Sequence, residues 1–173
     1  MHFQTFVSGG QIGIGVLTDG SELRGAVQGD RDYPGDLVAL LSLGHEALIQ
    51  SGMRLAGGSV FEPGTYQLLP PIPAPAKIIC IGLNYSDHAS EGGFKPPEYP
   101  AIFARYASSL IAHGAPLIRP YLSEQFDFEG ELVAVIGKGG RHISRQQALH
   151  HVAGYSIFND ATVRDFQLRT TQW

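Results

Sequence analysis

The stretch from Phe126 to Gly137, FDFEGELVAVIG, sets two glutamates at the mouth of an otherwise apolar strand pattern of period two. On a β-strand, residues two apart project from one face, so Glu129, Glu131, Val133 and Val135 share a side, and Leu132, Ala134 and Ile136 share the other. Both faces are apolar beyond the acidic end, which predicts a strand covered on both sides. Similar short apolar runs at Gly13–Leu17 and Leu23–Val27 bracket Asp19-Gly20, a hairpin turn signal. Further on, Asp36 can cap a helix running to about Ser51, with Leu37, Leu40, Leu41 and Leu48 on one stripe and Gly52 just past its end. The stretch LLPPIPAPAK, residues 68–77, cannot continue a helix or a central strand and predicts a stiff linker.

After that linker, Ile78–Ile81 reads as a short apolar strand closed by Gly82. Ala101–Leu110 reads as a strand with a small-residue turn, Gln146–His151 as a short helix, and Val152–Phe158 as another strand. A helix is then expected to begin near Asn159-Asp160 and to run through ATVRDFQLRT, placing Asp160, Arg164 and Gln167 on one face at i, i+4 and i+7. The predicted class is therefore α+β and β-rich, with a small N-terminal α/β module over residues 1–70 and a second, β-rich part over 71–173.

Composition narrows the function classes. With 43% hydrophobic and 16% charged residues, the chain has the make-up of a soluble globular protein, and 22 glycines with 11 prolines imply many turns. A net charge of −4 with no basic stripe argues against a nucleic-acid partner. No apolar run approaches the length that spans a membrane, so no membrane partner is expected. The single cysteine, Cys80, excludes an intramolecular disulfide and a cysteine-based zinc site. Since the opening MHFQTFVSGG lacks the basic and apolar regions of a secretory leader, a cytoplasmic location is expected.

Candidate chemistry starts with the acidic strand end. Two like charges beside an apolar strand repel one another and are costly to desolvate unless a cation lies between them. Asp160, at the expected helix start, would complete an all-oxygen set, which suits Mg²⁺, Mn²⁺ or Ca²⁺ rather than zinc or copper. Three protein ligands leave room for a bidentate 2-oxo acid, and such an ion acts as a Lewis acid toward its oxo oxygen. His88 and Glu91 fall at i, i+3 on a helical turn, where they form either a general base with its orienting carboxylate or an ordinary surface pair. The loop GGFKPPEYP that follows has the composition of a lid. Arg105, in IFARYASSL, is either a carboxylate anchor or an arginine whose stem covers apolar surface. Asp160, Arg164 and Gln167 have a bland alternative too, a helix cap followed by a polar face. His150 and His151 face different ways on a helix and are read as structural.

Taken together, IGLNYSDHASE, SEQFDFEGELVAVIGKGGR and HVAGYSIFNDATVRDFQ resemble the fumarylacetoacetate hydrolase family in order and approximate spacing, over roughly residues 70–173. By position, the resemblance implies that Glu129, Glu131 and Asp160 are metal ligands, that His88 and Glu91 form the catalytic dyad, and that Arg164 and Gln167 line the substrate pocket. It implies a mixed β-sandwich roll, a bound Mg²⁺ or similar ion, and usually a homodimer. Arg105 stands where many members have a lysine. Members also continue beyond the point matching Trp173, with further strands of the roll, so the roll is expected to be incomplete at the C-terminus. The expected activity is Mg²⁺-dependent hydrolysis of a C–C bond in a 2,4-dioxo acid, such as an acylpyruvate or a fumarylacetoacetate-like compound. Decarboxylation, isomerisation or hydration of a 2-oxo acid at the same site is the alternative, and an inactive binding or assembly relative is another.

Overall fold

The computed structural model describes residues 1–18, 22–85 and 97–170. They form two compact units, one of Met1–Ile72, Ile111–Ile118 and Phe128–Ala161, the other of Pro73–Leu110, Arg119–Asp127 and Thr162–Trp173. The architecture is α+β and rich in short strands, and the strand pairs among the described residues are antiparallel.

The first unit holds a five-stranded sheet in the order β4-β3-β2-β1-β5, built from β1 (His2–Ser8), β2 (Gln11–Leu17), β3 (Leu23–Val27), β4 (Ser59–Phe61) and β5 (Gln67–Leu68). Gly9 and Gly10 close the β1–β2 hairpin with φ of 57° and 78°, a pair of left-handed residues that glycine adopts without a Cβ penalty. The Asp19-Gly20 turn lies outside the described residues, and the strands it was expected to join pair in register from Gly13↔Val27 to Leu17↔Leu23.

Asp36 does cap a helix, its Oδ1 accepting from the Ala39 amide at 2.8 Å. That helix is shorter than the leucine stripe implied. α1 (Leu37–Ser42) stops, Gly44 takes φ 95°, and α2 (His45–Ala56) begins afresh. Gly52, expected beyond the helix end, sits buried inside α2, where a Cβ would come 2.9 Å from the Phe3 ring; Gly57 forms the actual cap. The helices and sheet bury Ile14, Val16, Ala26, Leu40, Leu48 and Leu55 as one core. Phe6 is fully buried, with ring centroids 4.5 Å from Phe61 and 5.7 Å from Tyr66. The first part of the proline-rich stretch is tied to β1, with the Leu69 amide donating to the Thr5 carbonyl at 2.9 Å and the Thr5 hydroxyl to the Pro71 carbonyl at 2.7 Å.

This unit also holds β9 (Gly130–Ile136) against β10 (Val152–Asn159). The alternation of β9 is as expected: Glu131, Val133 and Val135 are half-buried on one side. The other side is not covered among the described residues. Leu132 is 65% exposed, Ile136 61%, and the cross-strand neighbour of Leu132, Ile157, 87%. A run apolar on both faces reports that a strand favours cover on both sides, and says nothing of which segment supplies it. Residues Arg145–His151 form a 3-10 helix, and His151 Nδ1 lies 2.7 Å from the Lys138 carbonyl oxygen, a structural contact consistent with the reading of these histidines.

In the second unit β6 (Ile78–Gly82) pairs with β7 (Ala101–Arg105), and β8 (Phe126–Asp127) pairs with β11 (Thr162–Val163). A single helical turn, α3 (Arg164–Gln167), follows directly. No helix among the described residues is long and apolar enough to cross a membrane.

Candidate active site

The residues expected to be metal ligands lie at one end of the β9–β10 ladder. Register sets Glu131 opposite Phe158 and Gly130 opposite Asn159, and the pairing continues one residue further as side-chain and backbone bonds. The Asp160 amide donates to the Glu129 carbonyl at 2.9 Å, while the Glu129 amide donates to Asn159 Oδ1 at 3.1 Å. Glu129 and Asp160 are therefore neighbours through the backbone, and Glu131 lies two residues along the same strand face. Glu129 and Glu131 are half-buried, and Asp160 is 5% exposed with its Oδ1 wholly out of solvent. Burying a carboxylate is costly unless cations or donors compensate it, which makes Asp160 a conspicuous charge in this unit.

Tested against a divalent ion, the donor set fits in its chemistry, being three hard carboxylates without thiolate or imidazole. The side chains are not closed up around a common point. Among the described residues no group of three or more His, Cys, Asp or Glu side chains is gathered to hold a metal.

Asp160 is not part of the helix that carries Arg164 and Gln167, contrary to the i, i+4, i+7 reading. Thr162 and Val163 are drawn into a strand against β8, with Thr162↔Asp127 and Val163↔Phe126, so helical backbone starts only at Arg164. β-branched residues suit that pairing better than a first helical turn. Arg164 and Gln167 do share the turn, and Arg164 Nη1 donates to Gln167 Oε1 at 3.1 Å. The arginine is also bound to a residue that sequence reasoning assigned no role: its Nε and Nη2 donate to Asp127 Oδ2 at 3.0 and 2.9 Å. A second tether was likewise missed. The buried Ser123 hydroxyl donates to Asp165 Oδ1 at 2.6 Å, and accepts from the Gln125 amide at 3.0 Å. These contacts bridge 37 and 42 residues of chain, and no local pattern signals them.

Arg105 ends β7 opposite Ile78 and is half-buried. His88 and Glu91 lie outside the described residues. A shallow depression lined by Val7, Ser8, Gly64, Thr65, Tyr66 and Gln67, with Gly9 and Gly10, contains none of the candidate residues and carries no carboxylate, imidazole or cation.

Comparison with known proteins places this arrangement. The family described as fumarylacetoacetate (FAA) hydrolase C-terminal matches residues 77–173. The oxaloacetate tautomerase fahd2 of Xenopus laevis mitochondria is 36% identical over 94% of the chain and 52% of its own length. Oxaloacetate tautomerase YisK of Bacillus subtilis is 32% identical over the whole chain and 64% of its own length. Among solved structures, a fumarylacetoacetate hydrolase from the psychrophile Exiguobacterium antarcticum superposes with a TM-score of 0.73 at 31% identity, over 99% of this chain and 60% of its own. The chain thus spans about half to two thirds of the length of these relatives. A match over more than half its residues, on the segment that bears Glu129, Glu131, Asp160, Arg164 and Gln167, shows that the chain belongs to the fumarylacetoacetate hydrolase family.

Proposed function

We propose that this chain carries the metal-binding and substrate-holding part of an enzyme that interconverts the keto and enol forms of a 2-oxo acid. Glu129, Glu131 and Asp160 hold Mg²⁺, or Mn²⁺ or Ca²⁺ in its place. A bound divalent ion supplies a Lewis acid that stabilises negative charge developing on the oxo oxygen. Arg164 and Gln167 orient the substrate through its carboxylate, with Arg105 as a further cation for an acidic group. His88, oriented by Glu91, takes the proton from the carbon next to the carbonyl, and a proton is returned at oxygen, so that the atoms balance without water or redox partner.

The observation that carries this reading is the backbone bond from Asp160 to Glu129, which supports it by making two of the three proposed ligand residues neighbours at the end of β9. The names of the oxaloacetate tautomerases among the relatives support the enolisation step. Hydrolysis of a C–C bond in a 2,4-dioxo acid, with His88 and Glu91 activating water, is the second reading, favoured by the likeness to the Exiguobacterium hydrolase. Assays with oxaloacetate, followed by enol absorbance, and with acylpyruvates, followed by loss of the dioxo chromophore, separate the two. Mg²⁺-dependent enol–keto conversion that disappears in Glu129→Ala and in EDTA is expected. Absence of turnover on both substrates, or turnover unchanged in Glu129→Ala, refutes the proposal.

A further inference from the structure

The elements that carry Arg164 and Gln167 are too short to hold those side chains by themselves. α3 is a four-residue turn, and β8 and β11 are two residues each. Isolated helices of that length do not persist, so tertiary bonds must fix them. Such bonds are present among the described residues. The Arg164 amide donates to the Gln125 carbonyl at 2.8 Å, Ser123 holds Asp165 at 2.6 Å, and Asp127 holds the Arg164 guanidinium. The first two locate the backbone of the turn. The third reaches the Arg164 side chain itself.

Both Nε and Nη2 of Arg164 converge on Asp127 Oδ2, at 3.0 and 2.9 Å, which sets the plane of the guanidinium. Nη1, on the far branch of the fork, then meets Gln167 Oε1 at 3.1 Å. That contact decides which way the Gln167 amide points. With the ends exchanged, Nε2 would face Nη1, two donors against each other. Holding Oε1 on the guanidinium leaves Nε2, which can only donate, as the end available to another molecule. A donor matches the carboxylate or oxo oxygen of a 2-oxo acid.

We infer that Asp127 is a positioning residue: through Arg164 it locks the Gln167 amide so that its N–H groups are offered to an anionic substrate oxygen. The inference rests on the proposed role of Arg164 and Gln167 in holding substrate. Asp127 touches no substrate in this scheme, and its contribution is to the direction in which a neutral side chain donates.

The test uses the full chain, with Mg²⁺ and then oxalate in saturating Mg²⁺ as calorimetric probes, oxalate being a planar dianion that resembles an enolised 2-oxo acid. Wild type is expected to bind oxalate only when Mg²⁺ is present. Asp127→Ala should leave the Mg²⁺ affinity little changed and weaken oxalate by about tenfold or more, as loss of a charge-assisted hydrogen bond does. Gln167→Ala should weaken oxalate as well, and Asp127→Ala should cost clearly less on top of it than it does in wild type, because part of the Asp127 effect passes through Gln167 and only the part carried by Arg164 remains. Asp127→Asn serves the same comparison if the alanine variant fails to fold. Oxalate binding untouched by either Asp127 variant, or losses that add in the double variant, overturns this inference alone. A wild type that takes Mg²⁺ but no oxalate overturns the substrate role of Arg164 and Gln167, and this inference with it.

Discussion

Removing the ion should soften the fold, and the amount can be worked out. A ligand that binds the native chain and not the unfolded one stabilises by RT ln(1 + [L]/Kd), about 2.7 kcal/mol when its concentration is a hundred times Kd. For a chain of 173 residues, 1 kcal/mol moves the thermal midpoint by roughly 2–4 °C, so saturating Mg²⁺ should raise it by about 5–11 °C. Asp160 is the most buried of the three carboxylates at 5% exposure, and its amide is fixed to the Glu129 carbonyl at 2.9 Å, so of the proposed ligands it is the one whose removal should tell most. Asp160→Ala keeps two ligands on the strand and removes the third. If affinity falls about a hundredfold, the same Mg²⁺ concentration sits near Kd, leaving RT ln 2, about 0.4 kcal/mol, or a shift of roughly 1 °C. Circular dichroism melts in EDTA and in rising MgCl₂ measure this, with NaCl used to hold ionic strength constant because screening alone shifts charged proteins. A wild-type midpoint that does not respond to Mg²⁺, or an equal rise in Asp160→Ala, refutes the assignment of these carboxylates to a metal.

Two further outcomes test the first unit apart from any ligand. At Gly25 a Cβ would enter the Ile14 carbonyl and stand 2.7 Å from the Gly15 Cα, so Gly25→Ala should destabilise by about 1–3 kcal/mol, read as a lower urea midpoint with unchanged m; a midpoint equal to wild type would show that β2 and β3 part without cost. Burial, and then the neighbouring Asp36 charge, raise the Tyr33 pKa above 10.0. The folded state therefore prefers the protonated phenol, and that contribution is complete below pH 10.0 and lost as pH climbs through the raised value. Urea unfolding on both sides of pH 10.0 should show an alkaline loss that Tyr33→Phe lacks; identical pH profiles in the two proteins contradict this.

Which features were legible in the chain follows from how far apart their parts lie. The acidic strand was readable because strand geometry is local: residues two apart share a face, so FDFEGELVAVIG announces both its period and its paired glutamates. The Asp36 cap is equally local, a carboxylate three residues from the amide it accepts from. Gly9-Gly10 carries the same kind of local signal for the first hairpin, where β1 and β2 pair around it from Ser8↔Gln11. The helix break at Gly44 was hidden by leucines whose spacing runs across it. The exposed side of β9 was unreadable in another sense, because alternation states a preference for cover and not its source.

The misplacement of Asp160 has the same origin as the missed tethers. Its local pattern, an acidic residue before Arg164 and Gln167 at helical intervals, is a sound prior for a capped helix. It lost to the pairing of Thr162 and Val163 with a strand some 35 residues earlier in the chain, which shortened the helix to one turn. That shortening is what makes Asp127 matter. A long helix would aim Arg164 and Gln167 by its own backbone, whereas a single turn leaves their direction to be set by side chains brought from elsewhere. Paired carboxylates such as Glu129 and Glu131 show in the sequence because neighbouring positions on one strand share a face. Aiming a neutral amide demands a rigid frame built from distant segments. Asp127 sits inside the quoted motif, yet its bond to Arg164 spans 37 residues of chain, so only the fold brings it to the side chain it directs.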